Sequence, residues 1–113
     1  TSDLAAAIDA STGPVLVDCL GTWLTARIDH LGGWDRPVAE WREEIFSQLE
    51  AALVAMREHD GPVVTVTNEV GWSVVPEHAS GRVFRDLLGT INQRWAEACE
   101  DVHLVVAGRV LTL

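Results

Sequence analysis

The 113 residues are 48% hydrophobic with a formal net charge of −9, enough apolar material for one modest core and the wrong charge for nucleic acid or an anionic membrane surface. The apolar runs are strand-sized, well short of the roughly 20 residues that a spanning helix needs, and no basic-then-apolar leader opens the sequence, so a cytoplasmic protein with no membrane span and a small-molecule or protein partner is expected. All eight positive charges are arginines, which excludes from these residues a Schiff-base lysine and the lysine of a G-x-x-x-x-G-K-[ST] phosphate loop.

In chain order, Gly13-Pro14 leads into an apolar run at 15–20, which reads as a strand buried on both faces. A short helix over about 22–30 ends at Gly32-Gly33. The next helix is expected over 37–58, with Asp35 as N-cap, Pro37 in its first turn and an apolar stripe of Val38, Trp41, Ile45, Leu49, Ala52 and Met56. Its other face carries Glu40, Glu43, Glu44 and Glu50 and reads as solvated surface. Gly61-Pro62 opens a second apolar strand at 63–67. From Ser80, read as an N-cap, a helix runs to about Cys99 with Phe84, Leu87, Leu88, Ile91, Trp95 and Ala98 along one side. A third strand follows at 102–107, and then a short apolar end at 110–113.

Strands of this kind alternating with helices predict an α/β fold over residues 1–113 as a single domain, with a mostly parallel sheet and helices on its faces. No internal repeat, low-complexity tract or linker interrupts it. Cys19 and Cys99 are far apart in sequence and read as buried, reduced core thiols.

Ligands of open α/β sheets bind at the carboxyl ends of the strands, which singles out Asp18, Asn68-Glu69 and Gly108. Asp18 follows three apolar strand residues, a position suited either to magnesium of a bound nucleotide, held directly or through water, or to capping a neighbouring loop. Asn68 and Glu69 either build a turn around Gly71 or face the same crevice as Asp18. Arg82 and Arg85 stand in the first turns of the last helix, where they either pair with carboxylates such as Glu77 or Asp86 or join the helix N-terminus in an anion site. Arg85, Gly89 and Asn92 share a helix face that is neither apolar nor fully charged. The four histidines are scattered with no metal-ligand spacing, and His103 reads as structural. Trp23, Trp41 and Trp95 read as core, while Trp34 and Trp72 fall in loops, as anchors or as covers for a ligand.

Four blocks carry a family resemblance: Val-Leu-Val-Asp-Cys-Leu-Gly-Thr-Trp-Leu at 15–24, Thr-Asn-Glu-Val-Gly-Trp-Ser-Val-Val-Pro-Glu at 67–77, Phe-Arg-Asp-Leu-Leu-Gly-Thr-Ile-Asn-Gln-Arg at 84–94 and Val-His-Leu-Val-Val-Ala-Gly at 102–108. In order and separation they resemble the bifunctional adenosylcobinamide kinase / adenosylcobinamide-phosphate guanylyltransferase family of cobalamin biosynthesis, across nearly the whole chain. The resemblance implies a P-loop NTPase fold of the RecA-like kind, here lacking its N-terminal strand and phosphate loop, in an enzyme that works as a homotrimer. It implies phosphorylation of adenosylcobinamide with ATP or GTP, and transfer of GMP from GTP through a guanylylated histidine that none of the four histidines here matches. It further implies that Asp18 contacts GTP and its Mg, and that Asn68 and Glu69 bind nucleotide in the same crevice. Gly21, Ala26, Ser73 and Arg109 depart from the Thr, Asn, Gly and Pro usual in that family. On this reading residues 1–113 are inactive by themselves; the alternative is a non-catalytic α/β binding or oligomerisation domain without a phosphate loop.

Overall fold

Gly13, at a left-handed φ of +78°, turns the chain into β1 (Val15–Asp18), which runs parallel to β2 (Val63–Val66) in the register Val15↔Val63 through Asp18↔Val66. The computed structural model describes residues 3–72 and 74–113, so the departure at Ser73 lies outside the described residues. The first two strands are thus parallel, as expected. They are not buried on both faces. Val17 is 7% exposed and Val15 and Val63 pack on the core, but Leu16 and Val64, one register position along, are 66% and 60% exposed. Side chains alternate across a strand, and the helices cover only the Val17 side.

The third strand departs further from expectation. β3 (His103–Val106) pairs antiparallel with β4 (Arg109–Thr112) in a separate two-stranded sheet. Ala107 and Gly108 both have positive φ, 51° and 75°, the pattern of a two-residue type I′ turn that returns the chain on itself. The apolar end that reads as a tail is therefore a strand. His103 is exposed and its Nδ1 lies 3.1 Å from Thr112 Oγ1 across the hairpin.

Helix boundaries shift for identifiable reasons. α1 (Leu4–Asp9) is not anticipated from the sequence; the Asp3 carboxylate caps it by accepting from the Ala6 N–H at 3.0 Å, and the helix packs through buried Ile8 against α3 (Arg42–Glu58). α2 (Leu20–Leu31) ends at Gly32, which adopts φ +63° as a left-handed cap. α3 starts later than expected because 33–41 fold into two 3-10 turns, Gly33–Asp35 and Val38–Glu40, which take up both Asp35 and Pro37; Trp41 stands at the N-cap. The Trp41 ring lies so close over Gly33 that a Cβ there would sit 2.8 Å from Cε2, and its Nε1 donates to the Arg36 carbonyl at 3.3 Å. That docking holds the turns. α4 (Ala79–Glu97) has His78, not Ser80, at its N-cap.

The expected apolar stripes largely form the core: Trp41 at the α3 N-cap, Ile45, Leu49 and Ala52 of α3 and Leu87, Leu88, Ile91 and Trp95 of α4 are buried, together with Trp23 of α2, while Val38, Met56, Phe84 and Ala98 are partly buried against them. Both cysteines are free and only half-buried; Cys19 is not packed on the core, whereas Cys99, just past α4, packs against it and burial pushes its thiol up. Phe46 is stacked between the Arg42 and Arg94 guanidiniums, each 4.5 Å from the ring centre, which adds about 0.5–1 kcal/mol per contact and ties α4 to α3.

The turns that lead into β1 and β2 touch each other. A Cβ on Gly61 would fall 2.6 Å from the Gly13 carbonyl oxygen, backbone against backbone. Gly61→Ala is expected to destabilise the fold by about 1–3 kcal/mol through overpacking, read as a lower urea midpoint at unchanged slope. An unchanged midpoint would mean that these turns can separate freely.

Candidate functional site

Because β1 and β2 are parallel, their carboxyl ends open at the same edge, where α2 begins. Asp18 is the last residue of β1, on the same exposed sheet face as Leu16, and the Asp18–Cys19 peptide is cis. Its carboxylate is solvent-exposed, so the expectation of a carboxylate at the end of a buried strand does not hold.

Cys19 is the extended N-cap residue of α2, with Sγ 3.3 Å from Thr22 Oγ1. That hydrogen bond, reinforced by the backbone N–H groups of Thr22 and Gly21, holds the thiol below the usual cysteine range, against the opposing effects of partial burial and, more weakly, of the Asp18 charge. The start of α2 offers backbone donors and a hydroxyl at one point.

Two open cavities flank this helix start. One, of about 450 Å³, is lined by Cys19, Gly21, Thr22, Thr25, Ala26 and Asp29 of the α2 side and by Asn68 and Phe84 from across it. The other, of about 490 Å³, includes Asp18, Ser11, Ile8 and Trp23, and shares Cys19, Thr22 and Ala26 with the first. Asp18 and Asn68 therefore line two different cavities on either side of one helix N-terminus, not the single crevice expected. A Cβ at Gly21 would sit at ordinary contact distance, 3.7 Å from Asn68 Oδ1 and 3.6 Å from Leu88 Cδ2.

Glu69 lines neither cavity. Its Oε1 accepts from the Gly71 N–H at 2.8 Å and closes its own turn. Arg85 pairs with Asp86 at 3.0 Å, and Arg82 donates to the carbonyls of Pro76 and Glu77, both at 2.9 Å; neither residue lines the cavities. Gly108 belongs to the hairpin turn. Trp34 donates to Asp29 Oδ1 at 2.6 Å and anchors its loop to the cavity wall, whereas Trp72 is 73% exposed beyond β2.

The sequence reading missed Thr22, Thr25, Asp29 and Phe84. The first three were legible in principle, as small and polar residues at spacings of three and four on one face of α2. Phe84 belongs to an apolar stripe and gives no such signal.

Among the described residues no group of three or more His, Cys, Asp and Glu side chains could hold a metal ion. A single exposed carboxylate still suits Mg²⁺, which keeps several waters and is usually held by one or two carboxylates together with substrate phosphates.

Parallel strands opening beside a helix N-terminus, with small polar side chains around them, define an α/β protein with two open cavities at its strand ends. The chain belongs to the cobinamide kinase / cobinamide phosphate guanyltransferase family, whose model matches residues 1–113. It is 38% identical over 98 residues to the bifunctional adenosylcobalamin biosynthesis protein CobU of Salmonella typhimurium, an alignment covering 83% of this chain and 54% of that protein. To the protein of the same name from Escherichia coli it is 37% identical over 99 residues, with 83% and 54% covered. To the bifunctional adenosylcobalamin biosynthesis protein CobP of Pseudomonas aeruginosa it is 36% identical over 99 residues, with 88% and 52% covered. The chain spans about half the length of the curated relatives it matches.

Proposed function

We propose that these residues form part of an enzyme of cobalamin biosynthesis that phosphorylates adenosylcobinamide with ATP or GTP and transfers GMP from GTP to the phosphorylated product. The observation that carries this reading is the parallel register of β1 and β2, which sets Asp18 and Asn68 on either side of the α2 N-terminus in a chain of this family.

In this reading the first turn of α2 and Thr22 meet nucleotide phosphate, since helix N–H groups favour an anion. Asn68 presents its carboxamide to the nucleotide from across the cavity. Glu69 acts one step back, through the turn it closes with Gly71. Asp18 holds the Mg²⁺ of the nucleotide directly or through water; the ion, when bound, neutralises phosphate charge as it develops.

The same reading makes residues 1–113 one portion of a P-loop, RecA-like domain in a cytoplasmic homotrimer. The apolar exposure of Leu16, Val64, Val105 and Val110 supports it, because such strand faces ordinarily pack against further structure. No helix of the described residues is long and apolar enough to cross a membrane.

Phosphoryl transfer needs a cradle of backbone amides and a lysine around the β- and γ-phosphates, and residues 1–113 include no lysine. Purified residues 1–113 are therefore expected to show no phosphorylation of adenosylcobinamide and no GMP transfer, while the native polypeptide that carries them shows both. Turnover by residues 1–113 alone would sink the requirement for an outside cradle. A native polypeptide inactive in both assays would favour the other reading, a non-catalytic binding or oligomerisation domain.

A further inference from the structure

We infer that Asn92 is the positioning residue of the nucleotide site, an inference that rests on the function proposed above. Asn92 lies on α4, outside both cavities, and its carboxamide is used at both ends. Oδ1 accepts from the Thr67 hydroxyl at 2.6 Å, and Nδ2 donates to the Asn68 carbonyl at 2.9 Å. One half-buried side chain thus clasps two consecutive residues of the segment leaving β2, across 25 and 24 positions of sequence.

The chemistry specifies the residue type. Holding a hydroxyl donor and a carbonyl acceptor at once takes a group with one acceptor and one donor side by side, which a carboxamide supplies and a carboxylate or an alkyl group does not. The clasped segment needs such a hold, because Thr67, Asn68 and Glu69 are all exposed and the Glu69 carboxylate is engaged within its own turn. With the Asn68 backbone held by Asn92, its side-chain oxygen is set against Gly21 at the cavity wall. Asn92 therefore acts on bound nucleotide through Asn68, without touching it.

The test is steady-state kinetics of both reactions in the native polypeptide, together with hydrogen exchange of the amides of 67–72. Asn92→Asp keeps the acceptor and loses the donor; Asn92→Leu loses both. Each is expected to raise KM for GTP roughly tenfold, the lower end of what loss of an outer-shell partner costs. Because the clasp orients a binding residue and adds nothing to the reacting groups, kcat should stay within about twofold. Exchange should quicken across 67–72 and not along α4. Thr67→Val is expected to reproduce part of the effect, and Thr67→Ser, which retains the hydroxyl, to restore KM; this pair carries the test if the Asn92 variants fail to fold. Asn68→Leu in parallel reports on the site itself. If it raises KM while the Asn92 and Thr67→Val variants do not, the positioning role is overturned and the site stands. If Asn68→Leu also leaves KM unmoved, both fall.

Discussion

Asp18→Asn in the native polypeptide is expected to leave the fold intact while weakening magnesium-dependent GTP binding and slowing transfer by roughly 10- to 100-fold, the range typical when a residue supporting a bound metal loses its charge. Asn preserves the shape of the side chain and removes only the negative charge. Asp18 is solvent-exposed at the end of β1, so no burial cost is relieved and no stability gain should accompany the loss. The discriminating measurement is GTP affinity with and without magnesium. A carboxylate that holds the ion makes wild-type affinity rise with magnesium and leaves the variant nearly indifferent to it. If Asp18 only caps a neighbouring loop, Asn does the same with its carboxamide oxygen. Unchanged magnesium dependence and an unchanged rate would then show that role and remove Asp18 from the site.

Leu88→Ala should be among the most destabilising single changes, at roughly 3 kcal/mol, with Tm falling by on the order of 10 °C. Leu88 is fully buried, and its Cδ2 faces Gly21, where α4 and α2 come together. Truncation opens a cavity under the first turn of α2, and the glycine opposite has no side chain with which to fill it. The loss should be seen both in the urea midpoint and in GTP affinity, since Gly21, which Leu88 faces, lines the Asn68 cavity. A loss below about 1 kcal/mol would mean that the two helices collapse onto each other and that their spacing is not held by packing.

The two predictions separate charge at the strand end from packing beneath it. Gly21 belongs to both. A Cβ there would meet Leu88, Asn68 and Phe84 at ordinary contact distance, 3.6 to 3.7 Å. In the sequence Gly21 reads only as a departure from a family pattern. Its consequence needs the distances to Leu88, Asn68 and Phe84.

The sequence by itself determined the elements whose cause is local. Apolar spacing of three and four placed the cores of α3 and α4, Gly-Pro marked the start of β1 and of β2, and Gly32 ended α2, because periodicity, turn chemistry and a left-handed cap are properties of neighbouring residues. Asp18 and Asn68 were likewise legible as strand-end residues. What only the tertiary structure decided depends on contacts that residue type does not announce, some between near neighbours and some between residues far apart in the chain. Trp41 docking on Gly33 moved the start of α3, and the turn at Ala107-Gly108 gave the third strand an antiparallel partner in place of the parallel sheet. Leu16 and Val64 look like core in an apolar run, yet burial depends on which face the helices cover, and that is set by packing. The Asn92 clasp is of the same kind: Asn92 is one polar residue on a mixed helix face until the fold brings Thr67 and Asn68 against it, 25 and 24 residues away in the chain.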